Sequence, residues 1–159
     1  MPSLEDISGA DLEKYRKVLA KQHFSDLRRA GGLASHGIGI GAFVYLRRIF
    51  EKLIFDHYHQ FSGKNGPIEN FDSLRMLEKV EALSSVLPET ALEFKQVYSI
   101  LSKGVHELDE DTCKAYFPVV KTIIISILEE DLQKKAKAEA AASARKAMQQ
   151  IMSDLKTKT

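Results

Sequence analysis

The sequence predicts an all-α fold, an antiparallel helical bundle of four to five helices ending in a long C-terminal helix kinked at Pro118. Three observations carry this prediction. Apolar residues recur at i, i+3 and i+4 along most of the chain, the spacing that lines one side of an α-helix. Gly and Pro fall between the periodic stretches, where helices stop and start. No stretch alternates apolar and polar residues in the manner of a half-buried strand.

Each element follows from local chemistry. Ser8 followed by Asp11 resembles a capping box, and a helix over about residues 10–30 places Leu12, Tyr15, Leu19, His23 and Leu27 on one side. Gly31-Gly32 is its expected stop. A second helix over about 38–61 is the apolar centre. Ala42, Phe43, Leu46, Ile49, Phe50, Leu53, Ile54 and Phe61 share its broad face, while Ile40, Val44 and Phe55 lie elsewhere. Neighbours should therefore contact it from more than one direction, leaving a narrow solvent strip of Arg48, Lys52, Asp56 and His59. Residues 63–67 read as a loop.

The third helix is expected over about 73–86, capped by Asp72, with Leu74, Leu77, Val80 and Leu83 or Ala82 as its stripe. A fourth runs over about 89–103, turning Leu92, Val97, Ile100 and Leu101 inward, and stops at Gly104. After a short turn, Asp109 caps the last helix, with Glu110 and Asp111 suited to the positive end of the helix dipole. Pro118 kinks this helix without ending it, because strong helix formers continue beyond.

Composition narrows the class. The chain has 159 residues, 44% hydrophobic and 28% charged, enough to build one core. Its single cysteine, Cys113, cannot form an internal disulfide, and the N-terminus has no signal-like apolar stretch. The longest apolar run, Thr122 to Leu128, is far short of the roughly 20 residues of a membrane span. A cytoplasmic protein with no membrane association is expected. From residue 133 onward, seven Lys or Arg face only Glu139 and Asp154, a balance of +5, so the net +1 leaves −4 on residues 1–132. The organisation reads as an N-terminal helix packing on the bundle (1–36), the bundle (37–132), and a basic Ala-rich helical tail (133–159). In that tail Ala144, Met148, Ile151 and Leu155 form a seam suited to packing on another helix or chain.

Several groups could carry chemistry. Gly37-Ile-Gly-Ile-Gly41 precedes a helix as phosphate-cradling loops do, but lacks both the preceding strand and the GxGxxG spacing. Small residues permitting close helix approach are the better account. His57 and His59 stand at i and i+2, about 200° apart on a helix, so they cannot chelate one ion. His57 reads as a hydrogen-bonded core residue, and neither a metal nor a cofactor is expected. Arg47 and Glu51 are i, i+4 partners at the border of the apolar face and a candidate ligand-binding pair, or an ordinary stabilising pair. His106 sits in a helix–helix turn between Lys103 and Glu107, where an imidazole can be poised near neutral pH. It is the candidate catalytic residue, with Lys103 and Glu107 as candidate ligand-binding neighbours; the alternative is a brace for the turn.

The helix GAFVYLRRIFEKLI, a loop, two further helices and then ILSKGVHELDEDTCKAYFPVVKTIIISIL together resemble the HEPN superfamily over about residues 37–130. The resemblance implies a helical homodimer that binds nucleotide, RNA or a partner protein, in prokaryotic defence or regulation. In nuclease members of that family, an Arg followed four to six residues later by a His marks the last core helix. Paired motifs across the dimer cleave RNA without metal. His106 matches that His, but residues 99–102 are Ser, Ile, Leu and Ser, and the nearest base, Lys103, lacks the planar fork of Arg. The expectation is a binding module with weak or no catalysis. The alternatives are a metal-independent endoribonuclease using His106 and a scaffold assembling through the C-terminal helix.

Overall fold

The computed structural model describes residues 14–17 and 19–158, which form six α-helices and no strand. They are α1 (Lys21–Ser35), α2 (Gly39–Asn65), α3 (Met76–Ala82), α4 (Glu89–Glu93), α5 (Val97–His106) and α6 (Glu110–Thr157). Short 3-10 turns at Lys14–Lys17 and Phe71–Ser73 complete the path. The fold class is the expected all-α bundle with a long last helix. The proposed Ser8–Asp11 capping box and Leu12 lie outside the described residues.

α2 is the central element. Ala42, Phe43, Leu46, Ile49, Phe50, Leu53 and Ile54 are all buried along it. α1 packs along one side, while α5 and the first half of α6 pack on others, so the many-sided burial anticipated for this helix is realised. α6 contributes Cys113, Phe117, Val120, Ile124, Ile127 and Leu128 to the same core. Pro118, which is exposed, does not interrupt it.

Helix boundaries depart from expectation for identifiable reasons. The first helix begins only at Lys21 and continues through Gly31-Gly32 to Ser35. Its true stop is Gly37, whose φ of 79° is left-handed, a conformation that glycine adopts without Cβ strain. Ile38 N–H donates to Leu33 O (2.8 Å) and Gly37 N–H to Ala34 O (3.0 Å), the paired bonds of a Schellman turn. Similarly, α2 runs through Gly63 to Asn65 and ends at Gly66, at φ 83°. The third segment splits into the 3-10 turn at Phe71–Ser73 and α3, which Glu78 helps to start by accepting from Arg75 N–H (3.3 Å).

The expected fourth helix is two. α4 ends at Glu93, and α5 continues through Gly104 to His106. Gly104 is therefore internal, and it is small because the Phe43 ring lies on it: a Cβ built there would be 2.0 Å from Phe43 Cδ2. Ile100, expected inward, is 38% exposed.

α6 spans 48 residues, about 72 Å at 1.5 Å per residue. It also ties the bundle together through two carboxylates. Near its start, Glu110 Oε2 accepts from Gly39 N–H (2.6 Å) and Ile40 N–H (3.1 Å), the free donors at the start of α2. Farther along, Glu130 accepts from Glu89 N–H (2.6 Å), Thr90 N–H (2.9 Å) and the Thr90 hydroxyl at the start of α4. Burial opposes ionisation of Glu130, but the bonds from Thr90 and Glu89 and the nearby Lys134 outweigh it and hold the carboxyl below its ordinary value. Its own start is capped as expected, Asp109 Oδ1 accepting from Thr112 N–H (2.7 Å). Every residue from 133 to 158 is exposed, so the last half of α6 stands in solvent.

Candidate functional site

The glycine-rich turn is already filled from within. The helix N-terminus that a phosphate would approach donates its first N–H groups to Glu110, a carboxylate of the same chain. A Cβ on Gly39 would meet Lys114 N at 2.6 Å and Cys113 Cβ at 2.8 Å. The small residues serve the close approach of α2 to α6. Cys113 beneath them is buried, its thiol pushed up first by burial and then by the Glu110 and Asp109 charges, so it is a poor nucleophile.

Arg47 and Glu51 form the expected i, i+4 pair, with Arg47 Nε donating to Glu51 Oε1 at 3.0 Å. A third member comes from α5. The Tyr98 hydroxyl donates to Glu51 Oε1 (2.8 Å) and accepts from Arg47 Nε (3.3 Å), while the guanidinium lies over its ring at 5.6 Å. The bond to Tyr98, opposed by burial and aided by the Glu51 charge, holds Arg47 above its ordinary pKa. This triad fastens α2 to the first turn of α5. Nothing in the local sequence announces Tyr98, which is 51 residues from Arg47.

His106 ends α5 and is exposed, as are Lys103 and Glu107. The three occupy positions i, i+3 and i+4, neighbours on one face. Their side chains make no hydrogen bond or ion pair among the described residues, while Lys103 O accepts from Glu107 N–H (2.6 Å) and Leu108 N–H (2.9 Å) to close the helix. Tyr98 and His106 are eight residues apart in one helix, about 12 Å along its axis. Arg47, bound to Tyr98, is thereby committed to the opposite end of α5 from His106. Of the five candidates, Arg47 and Glu51 come together, Lys103, His106 and Glu107 come together, and the two groups are separate.

His57 Nε2–H donates to Asp131 Oδ1 at 3.0 Å, with both side chains mostly buried. It is the hydrogen-bonded residue the sequence suggested. No group of three or more His, Cys, Asp or Glu able to hold a metal occurs among the described residues.

A further polar cluster was not legible. Asp26 is 2% exposed, and its Oδ2 lies 3.6 Å from His23 Nδ1. Neither atom has a hydrogen-bond partner among the described residues. Burial, partly countered by Asp26 and Asp56 and reinforced by Lys52 and Arg48, holds His23 below its ordinary pKa. His23 edges an open groove of about 530 Å³ between α2 and the segment from Phe71 to Lys79. The i, i+3 spacing of His23 and Asp26 was visible, but the apolar periodicity around His23 assigned it to the core stripe.

No family model matches the chain, and neither a curated protein nor a solved structure was found similar to it. No helix among the described residues is long and apolar enough to cross a membrane.

Proposed function

We propose that this chain is a helical assembly module, in which the bundle is a head and the exposed half of α6 is an arm that pairs with the arm of a second copy. One observation carries the reading. Met148, Ile151, Met152 and Leu155 are each more than half exposed on a continuous helix, 60, 54, 51 and 55% respectively. Helices in proteins draw most of their stability from packing an apolar face, and a ridge of large apolar side chains marks a surface that gains from being covered.

The ridge suits self-pairing. Between Ala147 and Leu155 the only charged residue is Asp154, so the basic clusters of the tail flank the seam instead of lining it. In an antiparallel pair centred between Met148 and Ile151, Ala144 of each chain lies level with Leu155 of the other. Small then meets large at each end, as close packing requires. Light-scattering mass at micromolar concentration tests this: the full chain should be a dimer, and Ile151→Lys with Leu155→Lys should be monomeric with an unchanged melting profile for the head. A monomeric full chain, or a dimer unaffected by both lysines, removes the reading.

A second reading follows the HEPN resemblance: a nucleotide- or RNA-binding homodimer in prokaryotic defence or regulation, with weak or no catalysis. The observation favouring it is the exposure of His106 with Lys103 beside it, where a base and a proton carrier could reach a phosphate. End-labelled RNA incubated in EDTA distinguishes its forms. Cleavage lost in His106→Ala supports a metal-independent endoribonuclease, binding without cleavage supports the non-catalytic module, and neither binding nor cleavage discards both.

A further inference from the structure

The groove beside His23 combines three features that neither proposed activity uses. First, it holds cations without carboxylate partners. Arg48 lies over the Tyr45 ring at 5.3 Å and Lys79 over the Phe71 ring at 5.4 Å, and neither forms an ion pair among the described residues. Lys52, by contrast, is neutralised by Asp56 at 2.9 Å. Second, the groove offers aromatic surface: Phe55 is 49% exposed on its wall, backed by Phe71, which is 5% exposed. Phe71 is held in place by stacking on Tyr58, ring centroids 3.8 Å apart and planes 6° from parallel. Third, its edge is a histidine backed by a buried carboxylate whose facing atoms are both unsatisfied.

A polar pair left unsatisfied in a buried position is costly unless something completes it. If the imidazole is protonated, Nδ1–H can donate to Asp26 and Nε2–H becomes a second donor. Burial works against that charge in the empty groove. An anion close to His23 would supply what is missing, favouring the imidazolium and setting it between two negative groups. We propose that this groove binds a small aromatic anion, a carboxylate or phosphate monoester on a single ring, with Arg48 and Lys79 holding the charge and Phe55 the ring. His23 takes up a proton as the ligand enters.

The other charges facing the site are consistent with this. Glu51 lines the wall but is already engaged by Arg47 and Tyr98. Asp72 is exposed in the turn, and Asp56 is engaged by Lys52. The two unpaired cations therefore set the sign of the ligand, and the exposed phenyl ring sets its shape. Asp26, which touches His23 and not the groove, is a positioning residue.

Because the free imidazole is held below its ordinary value and the anion raises it, affinity is greatest below the free-state pKa. It declines as pH rises through the bound-state pKa, about tenfold for each unit separating the two. The experiment is titration of the full chain with benzoate, phenyl phosphate, inorganic phosphate and benzylamine, followed by NMR of the His23 ring. Benzoate stays charged between about pH 5.5 and pH 7.5, so any change in its affinity there comes from the protein. Benzoate and phenyl phosphate are expected to bind and to shift the His23 ring nitrogens, at least about tenfold more tightly than inorganic phosphate. Arg48→Gln with Lys79→Gln should abolish this, and His23→Gln should retain binding but lose its pH dependence. Phe55→Ser, at an exposed position, should weaken both aromatic ligands while leaving the fold intact. No binding of either aromatic anion, equal binding of benzylamine, or binding indifferent to loss of Arg48 and Lys79 would overturn the proposal. All of these outcomes are independent of the state of the α6 arm.

Discussion

Replacing Gly104 with Ala tests the closest approach in the bundle. The added Cβ would stand 2.0 Å from Phe43 Cδ2 and 2.6 Å from Cε2, whereas carbons rest about 3.5–4.0 Å apart, so something must retreat by roughly 1.5–2 Å. The ring has no open side to move into, since Phe43 is 0% exposed. Overpacking of this kind costs about 1–3 kcal/mol, and complete loss of a buried ring's packing about 3–5 kcal/mol. Ala in a helix interior returns up to about 1 kcal/mol relative to Gly. The net loss should be about 2–4 kcal/mol, a drop in melting temperature on the order of 10 °C for a chain of this size. Circular dichroism melts and urea titration read it directly. Phe43→Leu costs stability in the parent but should cost much less in the Gly104→Ala background, giving a coupling of about 1–3 kcal/mol. A Gly104→Ala protein as stable as the parent would refute the reasoning, because the helix-propensity gain would then be the only effect at work.

Two more predictions concern charge. Glu130→Gln should destabilise the fold by about 1 kcal/mol through the weakened cap on α4. Since the folded carboxyl lies below its ordinary value, that contribution is present above the unfolded pKa and vanishes as pH falls through the folded one, so the two proteins' melting curves should converge in acid. Lys121 is 3% exposed and burial alone holds its pKa down; Lys121→Met should therefore stabilise by about 1 kcal/mol near neutral pH. The parent should gain stability as pH rises from the folded pKa towards the unfolded value, a gain absent in the variant; a loss of stability in Lys121→Met would show that the ammonium has a partner worth more than its burial.

The bundle was legible because periodicity reports burial. The stripe from Ala42 to Ile54 needed only a 3.6-residue repeat to be found. Helix ends were less legible because one residue type serves two purposes. Gly37 and Gly66 have positive φ and stop helices, whereas Gly31, Gly32, Gly63 and Gly104 lie inside them; at Gly104 the glycine answers to Phe43, far away in sequence. Candidate site residues were legible as types and spacings, which is why Arg47–Glu51 and Lys103–His106–Glu107 each appear as local groups. Their long-range company was not. Tyr98, Glu110 and Asp26 acquire meaning only when folding brings them to Arg47, the start of α2 and the edge of a groove.

The two glutamate clamps of α6 have a mechanical consequence. Glu110 and Glu130 are twenty residues apart in one helix, roughly five and a half turns, so they leave it on nearly opposite sides. One grips the start of α2 and the other the start of α4, fixing both the height and the rotation of α6 against the head. A slide or a twist of the helix would break both grips together. The arm is thus keyed to the head like a shaft with two splines: its apolar ridge points in one set direction, and a torque applied at Leu155 is delivered to the roots of two other helices.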